Sequence, residues 1–258
     1  MKYIKILICI TILLVCLFTI TIKAINYYMP SKELETYEIS KRQDDTIHVA
    51  FIGDSWAFFH HPYDKNLSSK LTRALQHTAK VESYGICGLT SKELYNCFFS
   101  NKEMKEFLSK GFDYCIISAG INDTYRKLSK DYYQKSMDHI IKFMLTNNII
   151  PIILEIPNYD INESYRRQTL LRKTIRLISM YLNDTPMDCK QEFREVLNDL
   201  ISDKYYMDKV YVLRHIDWNS NYQKDLKELY RSDGMHLNQK GYDIIDNCIA
   251  TYIGLIRQ

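Results

Sequence analysis

Glycine and proline are scarce in this chain, with eight Gly and five Pro among 258 residues. That excludes collagen-like and low-complexity architectures and leaves room for long regular elements. No C-x-x-C pair occurs. Cys9 and Cys16 lie in an N-terminal apolar run, and Cys87, Cys97, Cys115, Cys189 and Cys248 are scattered. This spacing gives neither a zinc site nor a disulfide framework, although one disulfide among the five stays open. Cys115, in an apolar strand-like run, and Cys248, on an apolar helix face, read as small core residues. There is no Walker loop, dinucleotide fingerprint or metal-ligand cluster, so no cofactor and no metal are expected. A charge excess on the folded part is also missing. The net charge of +3 comes from 34 basic and 31 acidic residues, and the first thirty residues hold three lysines and no acid. Removing those three leaves 31 against 31, which argues against nucleic acid as a partner.

What the N-terminus does have is Ile6 to Ile22, seventeen residues without a charge. Seventeen is the lower limit for a helix spanning a hydrocarbon core of about 30 Å. Lys5 and Lys23 can snorkel at its ends, and Tyr27 and Tyr28 stand where interfacial aromatics belong. A cleaved signal peptide is the competing reading, but its apolar region is usually shorter and no A-x-A site follows here. We therefore expect residues 1–26 to be a transmembrane anchor, with cleavage and secretion as the alternative. Lys2, Lys5 and the α-amino group favour a cytoplasmic N-terminus. Lys23, Lys32, Lys41 and Arg42 on the other side make that signal weak. The globular part then faces outside the cytoplasm. Residues 27–46 are polar and read as a stalk or short exposed helix.

From residue 47 onward, short apolar runs alternate with amphipathic stretches. The runs are His48–Ile52, Val81–Tyr84, Tyr114–Ser118, Ile149–Ile156 and Val210–Leu213. Most are continuous, as in parallel strands covered on both faces. Helix-like segments fall near 66–79, 91–109, 129–147, 166–183, 188–202, 222–230 and 239–256. The alternation predicts one domain over 47–258, an α/β three-layer α/β/α sandwich on a five-stranded parallel sheet. Its ligand site belongs at the carboxyl ends of the strands. In the segment near 166–183, Leu170, Leu171, Ile175, Ile178, Tyr181 and Leu182 can face the core. Arg166, Arg167, Arg172, Lys173 and Arg176 then form a basic face, read as solvated, with contact to anionic lipid or an acidic glycan as the alternative.

Four motifs fall at those strand ends: Gly53-Asp54-Ser55-Trp56, Gly85-Ile86-Cys87-Gly88-Leu89-Thr90, Gly120-Ile121-Asn122-Asp123 and Asp233-Gly234-Met235-His236. Each is weak alone. Together, in this order and over residues 47–256, the set resembles the SGNH hydrolases, the GDSL-type esterases and lipases, whose fold is flavodoxin-like. Trp56 departs from the leucine of the family's motif, and an aromatic there would restrict the pocket to a small acyl group.

The residue chemistry agrees with the resemblance. A serine hydroxyl needs a base to become a nucleophile, so Ser55 needs an imidazole. Imidazole is the side chain suited to general-base work at neutral pH, His236 is the candidate, and Asp233 three residues earlier can fix its tautomer. The resemblance assigns the oxyanion hole to the Ser55 N–H, the Gly88 N–H and the Asn122 side chain, with Gly85 as the alternative glycine. Asp54 and Asp123 read as scaffolding that accepts loop N–H groups. His60 and His61 line the pocket or cap a helix, and His48 and His215 are structural. The expected function is a serine esterase acting on short acyl esters, O-acetyl above all, on an extracytoplasmic glycan. An O-acyltransferase using the same triad and a non-catalytic glycan-binding protein on this scaffold are the alternatives. The expected partners are the ester substrate and, through the N-terminal helix, a membrane.

Overall fold

A computed structural model describes residues 2–30 and 33–257. The side chains of Lys2, Lys5, Lys23 and Cys9, and all of Lys32, lie outside the described residues. In chain order the elements are α1 (Lys2–Tyr28), β1 (Ile47–Gly53), α2 (Ser55–His60), α3 (Asp64–Leu75), β2 (Ala79–Gly85), α4 (Ser91–Ser100), α5 (Lys102–Leu108), β3 (Tyr114–Ser118), α6 (Ile121–Arg126), α7 (Lys130–Thr146), β4 (Ile150–Leu154), α8 (Ile161–Arg166), α9 (Leu170–Leu182), α10 (Lys190–Ile201), β5 (Tyr211–Leu213), α11 (Tyr222–Glu228) and α12 (Gln239–Ile256). All five strands are parallel, in the order β2-β1-β3-β4-β5. This is the flavodoxin-like order, whose switch point lies between β1 and β3.

The continuous apolar runs of β1, β3 and β4 become strands covered on both faces, while the edge strand β2 alternates between buried and part-exposed residues. Every residue of β1 and β3 is buried. On one face α3 and α12 pack against each other, and on the other α7 packs against α4, α10 and β4. Local signals set the helix boundaries. Thr90 and Glu93 form a reciprocal capping box at the start of α4. The long segment near 91–109 divides at Asn101, whose side chain accepts from Met104 N–H and starts α5.

Three expectations need correction. Residues 33–46 form no helix and do not stand free as a stalk. They run along the domain, with Glu35 N–H donating to Tyr95 Oη at 2.6 Å and Ile39 N–H to Asn147 Oδ1 at 2.8 Å. Helix α9 is turned over. Its Leu170 and Tyr181 are 81% and 88% exposed, while Arg176 is 2% exposed. With α4, α7 and α10 covering this side of the sheet, no sheet surface remains for the apolar face of α9. Cys248 is only half-buried, whereas Cys115 is fully buried. The described cysteines are all free thiols.

His60, at the end of α2, ties the two halves of the domain together. It is fully buried between two carboxylates. Nε2 lies 2.9 Å from Asp246 Oδ1 on α12, and Nδ1 lies 3.1 Å from Asp64 Oδ1 and 2.9 Å from Ser83 Oγ. Burial works against the charged ring, but the hydrogen bonds and charges of Asp246 and Asp64 outweigh it and raise its pKa. A raised histidine pKa stabilises the fold fully below the unfolded value, about 6.5, and that contribution fades as pH rises through the folded value. Asp246→Asn is therefore expected to cost about 3 kcal/mol. Urea unfolding should show the loss largest at pH 5–6 and smaller above neutrality. A loss that grows with pH would contradict this assignment.

Candidate active site

The geometry starts at the end of β1. Gly53 has φ +148°, and a Cβ there would meet Ser118 O of the neighbouring β3 at 2.1 Å, so the end of β1 admits only glycine. Asp54 follows, fully buried. Its N–H donates to Ser118 O at 3.1 Å, and its Oδ1 accepts Trp56 N–H at 3.0 Å and Ser118 Oγ–H at 2.9 Å. Asp54 thus caps α2 and sets Ser55 as the helix's first residue. Burial pushes the Asp54 carboxyl up to about 7 against these hydrogen bonds, and nearby Asp123 adds to the rise. Asp123, pushed up to about 6 by burial, ties α6 to α4 through Ser91 N–H at 2.9 Å and Ser91 Oγ–H at 2.5 Å.

The imidazole arrives from 181 residues away on a self-closed loop. Tyr230 and Leu237 form an antiparallel bridge, and Arg231 N–H donates to His236 O at 2.7 Å. Gly234 turns the loop at φ +65°. Asp233 Oδ1 accepts the N–H groups of Met235 and His236, each at 2.9 Å, which leaves Oδ2 for His236 Nδ1 at 2.7 Å. His236 Nε2 then lies 2.8 Å from Ser55 Oγ. Burial works upward on the Asp233 carboxyl, but the bonds from the His236 ring and the two backbone N–H groups outweigh it and hold it below its ordinary range. This arrangement can take a proton from a serine hydroxyl and steady the resulting imidazolium.

The third component follows β2. Gly88 has φ +84°. Among the described residues, neither its N–H nor that of Ser55 meets a protein acceptor. Asn122, on the first turn of α6, gives one side-chain N–H to Leu89 O at 2.9 Å and reaches Asp54 Oδ2 only at 3.4 Å. Gly85 plays a different part, because a Cβ there would strike Phe58 N at 2.1 Å. Its role is to let α2 approach β2.

The structure thus brings Ser55, Gly88, Asn122, Asp233 and His236 to one cavity of about 440 Å³, walled also by Phe59, Tyr125 and Met235. Phe59 stands edge-on to His236 with ring centroids 5.0 Å apart. Trp56 is not part of the wall. It is 1% exposed and packs against Trp218, so it does not restrict the pocket as the sequence suggested. His61 is exposed and His60 is the buried clamp described above, so neither lines the pocket. Sequence reasoning misses Arg126 altogether. Its guanidinium donates to Gly88 O at 2.6 Å and to Glu93, fixing the loop that carries Gly88. The available signal is its position one turn after Asn122 on the same short helix. Arg167, expected on a solvated face, bonds Glu163 at 2.7 Å and Ser232 O at 3.0 Å, beside the Asp233 loop. Among the described residues, no group of three or more His, Cys, Asp or Glu is placed to hold a metal ion.

Comparison with known proteins places this geometry in context. Residues 51–244 match the GDSL-like Lipase/Acylhydrolase family. No curated protein matches the chain. Among solved structures, a lipase/acylhydrolase from Enterococcus faecalis is similar at 16% identity and TM-score 0.57, covering 81% of this chain and 95% of that one. The acetyl xylan esterase AlAXEase is similar at 18% identity and TM-score 0.56, covering 80% and 100%. The psychrotrophic esterase EstA of a Pseudoalteromonas species, in a structure inhibited by monoethylphosphonate, is similar at 15% identity and TM-score 0.53, covering 83% and 98%. At these identities the likeness concerns the fold.

The Asp233 geometry has a direct check. Carbon-13 NMR should show its carboxyl titrating below the ordinary value near 3.9, and His236→Ala should move the midpoint upward. The depressed carboxyl stabilises the fold above its unfolded value, and that stability is lost as pH falls through the folded value. A midpoint unmoved by His236→Ala would mean that the 2.7 Å bond does not form in solution.

Proposed function

The chain belongs to the GDSL-like lipase/acylhydrolase family and is a serine hydrolase, and on that footing we propose that Ser55, His236 and Asp233 hydrolyse a short acyl ester. The observation that carries the reading is the continuous relay from Asp233 Oδ2 through His236 to Ser55 Oγ, with links of 2.7 and 2.8 Å. Ser55 Oγ attacks the ester carbonyl while His236 Nε2 takes its proton. Asp233 keeps the other ring nitrogen protonated and in line. The carbonyl oxygen becomes an oxyanion facing the N–H groups of Ser55 and Gly88 and the Asn122 amide, and one such donor is worth roughly 3 kcal/mol. His236 then returns the proton to the leaving alcohol, and an acyl-Ser55 ester remains. Water, deprotonated by His236, repeats the attack and releases the acid.

The substrate class we propose is an O-acetyl ester on an extracytoplasmic glycan. The lobe of the cleft that holds Ser55, about 440 Å³, is at the small end of ligand sites. It suits a short acyl group better than a fatty chain, and Tyr125 on its wall offers the flat face that sugar rings use. A protein of similar fold is an acetyl xylan esterase. For location, among the described residues one apolar helix, at the N-terminus, is long enough to be a membrane anchor or a signal sequence. We favour the retained anchor, with the domain outside the cytoplasm. In support, the end of α1 is docked on the domain: Tyr27 bonds Arg126, Tyr28 Oη meets Ser179 Oγ at 3.2 Å, and Lys92 Nζ caps Asn26 O at 2.7 Å. The exposed leucines of α9 lie beside that junction, as expected of a helix resting on a bilayer surface.

Hydrolysis of p-nitrophenyl acetate by the detergent-solubilised full chain tests the triad. Ser55→Ala and His236→Ala should each lower kcat by at least about 1,000-fold, and Asp233→Asn by less. A fluorophosphonate should label the wild type stoichiometrically and Ser55→Ala not at all. Wild-type turnover in Ser55→Ala would overturn the assignment. Accumulation of acylated sugar in place of free acid, when an acetylated glycan is supplied, would make the protein a transferase.

A further inference from the structure

A second cavity, of about 620 Å³, opens beside the first and shares Gly88, Asn122 and Tyr125 with it. The two are lobes of one cleft. The second lobe is walled by Arg126, Arg172 and Arg176, with Tyr27, Tyr28 and Gln168. These arginines differ in what they already bind. Arg126 is committed to Gly88 O, Glu93 and Tyr27. Arg172 is exposed on α9. Arg176 is 2% exposed, yet none of its three guanidinium nitrogens has a hydrogen-bond partner in the protein.

A buried guanidinium with no carboxylate is expensive, and native proteins seldom leave one so. Among the described residues Arg176 enters no ion pair. Its company is aromatic: Tyr125 and Tyr165 lie with ring centroids 5.0 and 5.5 Å from Cζ. Such contacts compensate the charge in part and use none of its N–H donors. The buried Oε1 of Gln168, on the same wall, is also without a protein partner. The side chain is thus held rigidly, charged, and with its donor fork unspent, at the wall of a cleft that reaches the oxyanion glycine. A guanidinium in that state matches a carboxylate or phosphate, which accept two parallel hydrogen bonds from the fork.

We infer that Arg176, assisted by Arg172, is an anion-binding subsite, and that the natural ester carries a carboxylate or phosphate group held there while the acyl group sits at Ser55. That the bound anion belongs to the substrate rests on the esterase reading; the anion site itself does not. It also explains why α9 is turned with Arg176 inward. The group it holds belongs either to an acidic glycan or to an anionic lipid headgroup, and the chemistry of the site is the same for both.

Two measurements on the full chain decide the matter. First, titration calorimetry of the Ser55→Ala protein with inorganic phosphate should show binding that Arg176→Met weakens at least tenfold. Arg172→Gln, at an exposed position that does not endanger folding, should weaken it about threefold. Second, 4-acetoxybenzoate and 4-acetoxyphenyl phosphate are compared with the neutral methyl 4-acetoxybenzoate. The wild type should prefer the anionic esters, and Arg176→Met should lower the anionic-to-neutral ratio of kcat/KM at least tenfold, chiefly through KM. Arg176→Lys should restore part of that preference. Phosphatidylglycerol vesicles that compete where phosphatidylcholine vesicles do not would identify a lipid source, and no competition a soluble one. If phosphate binding and the ratio are both indifferent to Arg176 and Arg172, the proposal is wrong. If Arg176→Met does not fold, the Arg172→Gln result alone decides it. If phosphate binding depends on Arg176 while no ester is cleaved, the anion site stands and the esterase reading falls.

Discussion

The buried carboxylate of Asp54 is the interaction on which the site depends. It stands where β1 and β3 end side by side, held by the Ser118 hydroxyl and the Trp56 N–H. Burying it is costly, and burial pushes its carboxyl up to about 7. In return, one side chain fixes the direction in which α2 leaves the sheet, and Ser55 is the first residue to leave. The absence of a Cβ at Gly53 is part of the same device, since Ser118 O occupies the space a side chain would need. A parallel sheet brings every strand's carboxyl end to one edge. It does not place a hydroxyl within 2.8 Å of an imidazole. The Asp54–Ser118 clamp supplies that precision.

The proposed base, His236, is held on the opposite logic. The loop from Tyr230 to Leu237 closes on itself through backbone bonds, and Asp233 spends one carboxylate oxygen on that closure and the other on His236. The same residue shapes the turn and selects the tautomer. Because the loop is rigid within itself, only its docking onto the sheet edge must be correct. Several contacts from outside the loop secure that docking. Asp160 N–H and Tyr222 Oη–H both donate to Gly234 O, and Arg167 donates to Ser232 O. The His60–Asp246 pair, farther along α12, holds that helix against the α2 side. Ser55 and His236 are thus positioned by separate local devices, joined by the Phe59–His236 ring contact, the His60–Asp246 pair and the final hydrogen bond.

Much of this is legible in the sequence, and the limits have physical causes. Strands covered on both faces leave continuous apolar runs, which place β1, β3, β4 and β5 within a few residues of their observed bounds, and the edge strand β2 shows as a short alternating stretch. Ser55, Asp233 and His236 stand out because a nucleophile, a base and an orienting acid fall at element boundaries in a recognisable order. Arg126 does not, since holding a carbonyl leaves no pattern beyond one arginine on a short helix. Trp56 misleads because adjacency in sequence to Ser55 says nothing of direction. On the first turn of α2 the next residue points about 100° away, into the core against Trp218. The break at Asn101 is hidden because both halves of the segment are amphipathic.

Helix α9 shows where periodicity itself misleads. The spacing of apolar residues along a helix distinguishes two faces but does not say which turns inward. The usual assumption, apolar inward, holds when a bare sheet face waits for the helix. Here α4, α7 and α10 have taken that face, and the cleft beside Gly88 offers tyrosine rings rather than aliphatic surface. A guanidinium can stack on such rings, and leucine gains less there than in a lipid phase. Turning the leucines out is costly in water but not at a bilayer surface, and the end of α1 lies against this helix at Ser179. The orientation of α9 is thus set by its two surroundings together: an aromatic cleft on one side and the neighbourhood of an apolar helix on the other. The cleft wall and the exposed leucine surface are two sides of one helix, and a change that rotates it would disturb both.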